Sequence, residues 1–244
     1  MNSFPNPSKV KYAIVYHDGL KNFCCKVPNV KGLTFKTNEN SFVAGYMAAG
    51  LSKTGKVATY GGMPFPTVTI FMDGYAKGVE FYNEIKGKSV KVLGWDPSNP
   101  GSGSMVGDFA NTTKAVSMSQ AFELQGADVI FPVAGGLGGA TAGNSLTSKK
   151  SVVIWVDTDG YVAAPQYKKV LLTSVVKGVG TSVQAVIADE NAGKFSSTGY
   201  NGNLKNAGTF LAPYHDLIRK VPTALRTEVT KLGNDIRSGK VSAK

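Results

Sequence analysis

The stretch Gly126-Ala127-Asp128-Val129-Ile130-Phe131-Pro132-Val133-Ala134-Gly135-Gly136 decides the fold. A glycine and an acid precede five apolar residues, and two glycines follow. A short apolar run without polar alternation is a strand covered on both faces, as in a parallel sheet. The same pattern recurs on either side of it. Lys56 to Tyr60 runs into Gly61-Gly62, and Val152 to Val156 runs into Asp157-Thr158-Asp159. Tyr12 to Tyr16, Val30 to Phe35, Val90 to Trp95 and Val170 to Val176 are further strand-like runs. Amphipathic or alanine- and glycine-rich stretches separate them: 40–51, 68–82, 112–125, 181–192 and 222–239. Gly126 suits a helix C-cap. Residues 96–107 and 195–213 are rich in turn formers and short extended pieces, and no internal repeat is visible. Strands alternating with helices give an α/β class with parallel strands.

Composition is compatible with that class. The chain has 244 residues, 42% of them hydrophobic and 18% charged, with 29 glycines. No run of eighteen apolar residues occurs, which excludes a transmembrane helix. The balance of 27 Lys and Arg against 16 Asp and Glu gives +11. Such a charge favours encounters with anionic partners and says nothing about fold. Adjacent Cys24 and Cys25 make a poor disulfide and lack companions for a metal, so they are expected to be ordinary thiols. The opening residues have no signal-peptide core. Lys21-Asn22-Phe23 stand where a lipoprotein anchor at Cys24 would want small apolar residues.

Strand after strand ends in glycine, alanine or aspartate, the pattern of a site outside the carboxyl ends of a parallel sheet. There the glycines let a ligand approach the backbone, and Asp157 supplies an acceptor. No Gly-x-Ser-x-Gly elbow, phosphate-binding loop or zinc signature is present, and no enzyme or cofactor is expected.

Five landmarks in order carry a family likeness: Glu39-Asn40-Ser41-Phe42-Val43-Ala44-Gly45-Tyr46-Met47-Ala48-Ala49, Gly61-Gly62-Met63 with Pro66, the 126–136 stretch, Val156-Asp157-Thr158-Asp159, and Thr173-Ser174-Val175-Val176-Lys177. The chain resembles the basic membrane protein family, the nucleoside-binding lipoproteins of ABC transporters related to the purine nucleoside receptor. The resemblance implies a type I periplasmic-binding-protein-like α/β fold of two lobes, with parallel sheets flanked by helices and ligand held between. Residues 1–55 and 173–244 would form the first lobe and 56–172 the second. It also implies two or three βα units before Tyr12, roughly 60–100 residues at 30 or more per unit. On that template the first lobe is incomplete and the chain N-terminally truncated. Such a lobe would expose a sheet edge and favour self-association.

The resemblance implies a role for each candidate residue. Phe109 would stack on a purine; the alternative is a core ring at a helix start. Asp157 would accept hydrogen bonds from ribose hydroxyls, and Asp159 would form the turn beside Gly160. Lys177 would contact the nucleoside. Ala134, Gly135 and Gly136 would present backbone groups or simply close a strand–helix turn. In the first lobe an acidic contact is expected near Tyr16, where Asp18 is the available carboxylate. Trp95 is expected in the core. His17 and His215, the two histidines, lack a partner pattern.

The implied function is capture of a nucleoside, purine above all, and delivery to an ABC permease at the outer face of the cytoplasmic membrane. The membrane contact would be a lipid anchor that this chain lacks. Two alternatives stand beside it. One is a nucleoside-acting enzyme using Asp157 or Asp159. The other is a basic regulatory or DNA-binding protein. For the latter, the pairs Lys149-Lys150, Lys168-Lys169 and Arg219-Lys220 are scattered along the chain with no aromatic interleaving, so no nucleic acid is expected.

Overall fold

The computed structural model describes residues 10–15 and 28–243. Its elements are, in order, β1 (Tyr12–Val15), β2 (Val30–Phe35), α1 (Thr37–Leu51), β3 (Lys56–Gly61), α2 (Pro66–Lys86), β4 (Lys91–Leu93), α3 (Thr112–Leu124), β5 (Val129–Val133), α4 (Gly138–Ser148), β6 (Val152–Asp157), α5 (Gly160–Ala163), β7 (Leu171–Lys177), α6 (Val179–Asn191), β8 (Tyr200–Gly202), β9 (Thr209–Leu211) and α7 (Thr223–Arg237).

The strands form two sheets. The larger has the order β4-β3-β5-β6-β7-β9 and is parallel except for β9, which runs antiparallel along β7. The smaller, β1-β2-β8, is parallel throughout. In the larger sheet successive side chains go to opposite faces. Val129, Phe131 and Val133 enter one core with α1, α2 and α7, whereas Ile130 enters another with α3. Likewise Ile154 and Val156 join the first core, and Val153 and Trp155 pack with α4 and Leu171. Both faces are thus covered, which is why these strands lack polar alternation. Complete burial of a side chain such as Phe131 stabilises the fold by about 1.5–3 kcal/mol.

Glycines set the contact between α1 and α2. A Cβ on Gly45 would collide with the Tyr75 carbonyl, and one on Gly78 with the Phe42 carbonyl. The two helices therefore touch backbone to backbone, and the alanine- and glycine-rich α1 is buried along most of its length. Before β5, α3 closes with two bonds, Ala127 N–H to Phe122 O at 2.9 Å and Gly126 N–H to Glu123 O at 3.0 Å. That is a Schellman stop, with Gly126 at φ +96°.

Sheet membership differs from the sequence division at 55/56 and 172/173. α1 and α7 pack in the first core of the larger sheet, and β7 and β9 are strands of that sheet. Among the described residues, β1, β2, β8, α6 and Phe195 build the smaller core. The reason is the glycine contact, which commits α1 to α2. Helix α4 is a second departure, since three glycines in Gly138–Ser148 hide it from apolar periodicity. Gly138 makes room for the Trp155 ring, and Gly139 and Gly143 face Tyr167.

The chain passes between the sheets at residue 36, at residue 178 and through 203–208. The three passages are bonded to one another. Lys36 N–H donates to Gly202 O at 2.7 Å and Gly178 N–H to Gly208 O at 2.9 Å. Leu204 N–H donates to a Glu39 carboxylate oxygen at 2.9 Å, and the Thr209 hydroxyl donates to Val176 O at 2.8 Å.

Candidate functional site

Because β3, β5, β6 and β7 are parallel neighbours, their carboxyl ends lie side by side. At about 4.8 Å per strand the row from β3 to β7 spans about 14 Å. Gly62 follows β3, and the Phe109 ring packs against it so closely that a Cβ there would enter the ring. Phe109 is 42% exposed and stacks in offset fashion on Phe65, itself 47% exposed, with centroids 6.3 Å apart. A core role for Phe109 does not match this exposure. Its loop is held by Asp108, whose carboxylate accepts N–H groups from Ala110 and Asn111 at 2.8 and 2.7 Å. Those bonds hold the Asp108 carboxyl below its usual range.

After β5, Ala134 is fully buried and Gly135 takes φ +55°, with its Cα face toward Phe109. Gly136 lines a groove between α3 and α4 instead. The end of β6 is strained. Asp157 has φ +70°, and Thr158 N–H donates to Val156 O at 2.8 Å, closing a γ-turn of the rare positive-φ kind. Such strain costs about 1–3 kcal/mol and persists where surrounding structure enforces it. Asp159 N-caps α5 by accepting Tyr161 N–H at 3.1 Å. Its other oxygen meets His215 Nε2 at 2.8 Å, and the imidazole stacks on Tyr161 with centroids 4.1 Å apart. His215 thus has a partner 56 residues away, which no sequence pattern announces.

The strained turn presents Asp157 to Lys177, the last residue of β7. Their Oδ1 and Nζ are 2.9 Å apart. Lys177 is only 9% exposed, whereas the Asp157 side chain is 36% exposed. Lys177 Nζ also lies 4.7 Å from the Phe71 ring centre. Burial pushes the Lys177 ammonium below its ordinary pKa, and the Asp157 charge opposes that shift in part. A mostly apolar cavity of about 190 Å³ opens beside it, lined by Thr34, Phe35 and Thr37 from one side and Pro66, Thr67 and Ile70 from the other. The cavity lies where the end of β2 meets the start of α2. Thr37 Oγ1 is buried there with no hydrogen-bond partner among the described residues.

The structure thus brings Phe109 together with Gly135, and Asp157 together with Lys177, along one sheet edge. Trp95 is in the core, its Nε1–H donating to Asp73 at 2.9 Å. Tyr16, His17, Asp18, Cys24 and Cys25 lie outside the described residues. Sequence reasoning missed Phe65 and Thr37. A signal existed for Phe65, an aromatic residue at a helix N-cap, where Ser, Thr, Asp or Asn is preferred.

The model of the PnrA-like ABC transporter substrate-binding proteins matches residues 6–201. The chain belongs to that family. Its PnrA-like relatives include Basic membrane protein A1 of Borrelia garinii subsp. bavariensis, 33% identical over 187 residues, which covers 74% of this chain and 48% of that protein. The ABC transporter nucleoside-binding protein BmpA of Lactococcus lactis subsp. cremoris is 31% identical over 229 residues, covering 88% and 60%. The chain therefore spans about half to three-fifths of the length of these relatives. Among solved structures, the ABC transporter solute-binding protein of Aeropyrum pernix K1 superposes with a TM-score of 0.77 at 21% identity, covering 95% of this chain and 70% of that one. A transcriptional activator of the comK gene from Bacillus halodurans gives 0.70 at 20%, covering 87% and 67%. At such identities the likeness establishes the periplasmic solute-binding-protein fold alone. The PnrA-like family is one of substrate-binding proteins, not of enzymes.

Proposed function

We propose that the chain captures a nucleoside, purine above all, and hands it to an ABC permease at the outer face of the cytoplasmic membrane. The observation that carries this reading is the Lys177–Asp157 pair held at two strand ends beside an apolar cavity, with an exposed Phe109 on the same edge. A planar base stacks on an exposed aromatic ring with about 1–3 kcal/mol per base. Asp157 accepts ribose hydroxyls, and a hydrogen bond to a charged acceptor contributes about 1.5–3 kcal/mol. Lys177 neutralises Asp157 between ligands and donates to the sugar when one is bound. Gly135 brings backbone close to the base. The two bodies built on the two sheets close around the ligand by bending at their three passages. The name of the Lactococcus relative supports a nucleoside as the ligand.

Titration of the purified chain with adenosine, guanosine, inosine, cytidine and uridine by calorimetry tests the reading. Saturable binding of a purine nucleoside at micromolar concentration is expected. A flat response to all five from folded protein would overturn it, and release of free base would move the chain to the nucleoside-acting enzymes.

A further inference from the structure

Basic pairs that are scattered along the sequence converge in space. Lys53, Lys149, Lys150, Arg219 and Lys220 surround a cavity of about 400 Å³ whose wall includes Val129, Ser151 and Val152. It lies at the amino end of β5 and β6, the opposite end of the larger sheet from Asp157 and Lys177. All five cations are exposed, and none forms an ion pair among the described residues. The acid in the wall, Asp128, is engaged by backbone, its Oδ2 accepting N–H groups from Lys53 and Thr54 at 2.7 and 3.2 Å. Three remote segments thus bring like charges to one concavity, where they repel one another. A bound anion turns that repulsion into attraction.

We propose that this groove is a second binding site, for a phosphate-bearing anion recognised by charge. Its walls narrow the class. β5 and β6 are interior strands paired on both sides, so no free edge is available to pair with a peptide backbone. Among the described residues no aromatic side chain lines the cavity, so nucleobases find no stacking platform there. Five cations in so small a volume match a ligand that concentrates charge. A phosphate group carries up to about two negative charges and three acceptor oxygens, and lysine binds phosphate as a point charge. The phosphate comes from a soluble polyphosphate or from an anionic lipid headgroup.

The experiment compares the native chain, the quadruple variant Lys149→Gln/Lys150→Gln/Arg219→Gln/Lys220→Gln, and a control carrying Lys194→Gln and Lys205→Gln on exposed positions elsewhere. Each is titrated with sodium tripolyphosphate and, separately, with phosphatidylglycerol vesicles. Thermal melting confirms that all three are folded. Native protein is expected to bind at least one probe, with affinity falling about tenfold or more in the quadruple variant and staying within about twofold in the control. Binding to tripolyphosphate assigns a soluble ligand, and binding to vesicles alone assigns a headgroup. Absence of binding to both probes at low salt, or equal losses in the variant and the control, would overturn the proposal.

Discussion

The two ends of the larger sheet are made of the same strands and do opposite things. At the carboxyl end the strands give way to Gly62, Ala134-Gly135, Asp157 and Lys177, where charge is paired across 2.9 Å beside an apolar cavity. At the amino end β4 and β3 begin with Lys91 and Lys56, and Lys149-Lys150 and Lys168-Lys169 precede β6 and β7. There these lysines form no ion pair among the described residues. A parallel sheet makes this separation unavoidable, because every strand contributes its start to one side and its finish to the other. One end can be tuned for shape and hydrogen bonding while the other is tuned for long-range field.

The largest effect should come from a change that undermines both ends at once. In Gly45→Val the new side chain has no room against the Tyr75 backbone, and stability should fall by about 3 kcal/mol. Urea midpoints measure this, and an unchanged midpoint would refute the backbone contact between α1 and α2. Next, Asp157→Ala should weaken nucleoside binding by about 1.5–3 kcal/mol and leave tripolyphosphate affinity alone. Calorimetry with both ligands reads the separation, and a parallel loss of both would break it. Phe109→Ala should cost about 1–3 kcal/mol of nucleoside affinity, seen in the same titrations. Phe65→Ala should cost less, since Phe65 stacks on Phe109 and would act through it.

A smaller effect concerns pH. The Lys177 pKa is lowered on folding, so above that lowered value the unfolded chain binds more protons than the folded one. The cost of burying the ammonium is then complete at lower pH and relieved as pH rises toward about 10.5. Relative to Lys177→Met, native protein should therefore gain stability on that alkaline side, as paired melts across the range would show. A constant difference would place Lys177 in a wetter setting than its burial indicates. Smallest of all, the quadruple amino-end variant should change nucleoside affinity by less than about twofold.

Much of the sheet was legible because burial on both faces leaves an unambiguous mark. Val129–Val133 and residues 152–156 are apolar runs bounded by turn residues, and their ends mark the candidate row at the carboxyl end of the sheet. Helix α4 left no such mark, since three of its positions are glycines that face Trp155 and Tyr167 and supply no apolar stripe. The assignment of α1 to the larger body depends on a backbone contact with Tyr75, which a one-dimensional pattern does not encode. Among the candidate site residues, Asp157 and Lys177 were singled out through motif and strand end, and the structure pairs them. Phe65 was passed over because its exposure depends on where Phe109 folds back. The cations at 149–150 and 219–220 were taken as scattered because only the third dimension makes them neighbours.

The bonds that tie the three inter-sheet passages together carry a kinetic consequence. Lys36, Gly178 and Leu204 each donate a backbone N–H to another passage, or to the segment beside it. Releasing any one of these amides loosens the segment that accepts its bond, Gly202 at the end of β8, Gly208 in the third passage or Glu39 on α1. In deuterated solvent they should exchange as one cooperative group, at a shared rate slower than that of the exposed turn around Gly193. A ligand seated between the sheets should slow that whole group together.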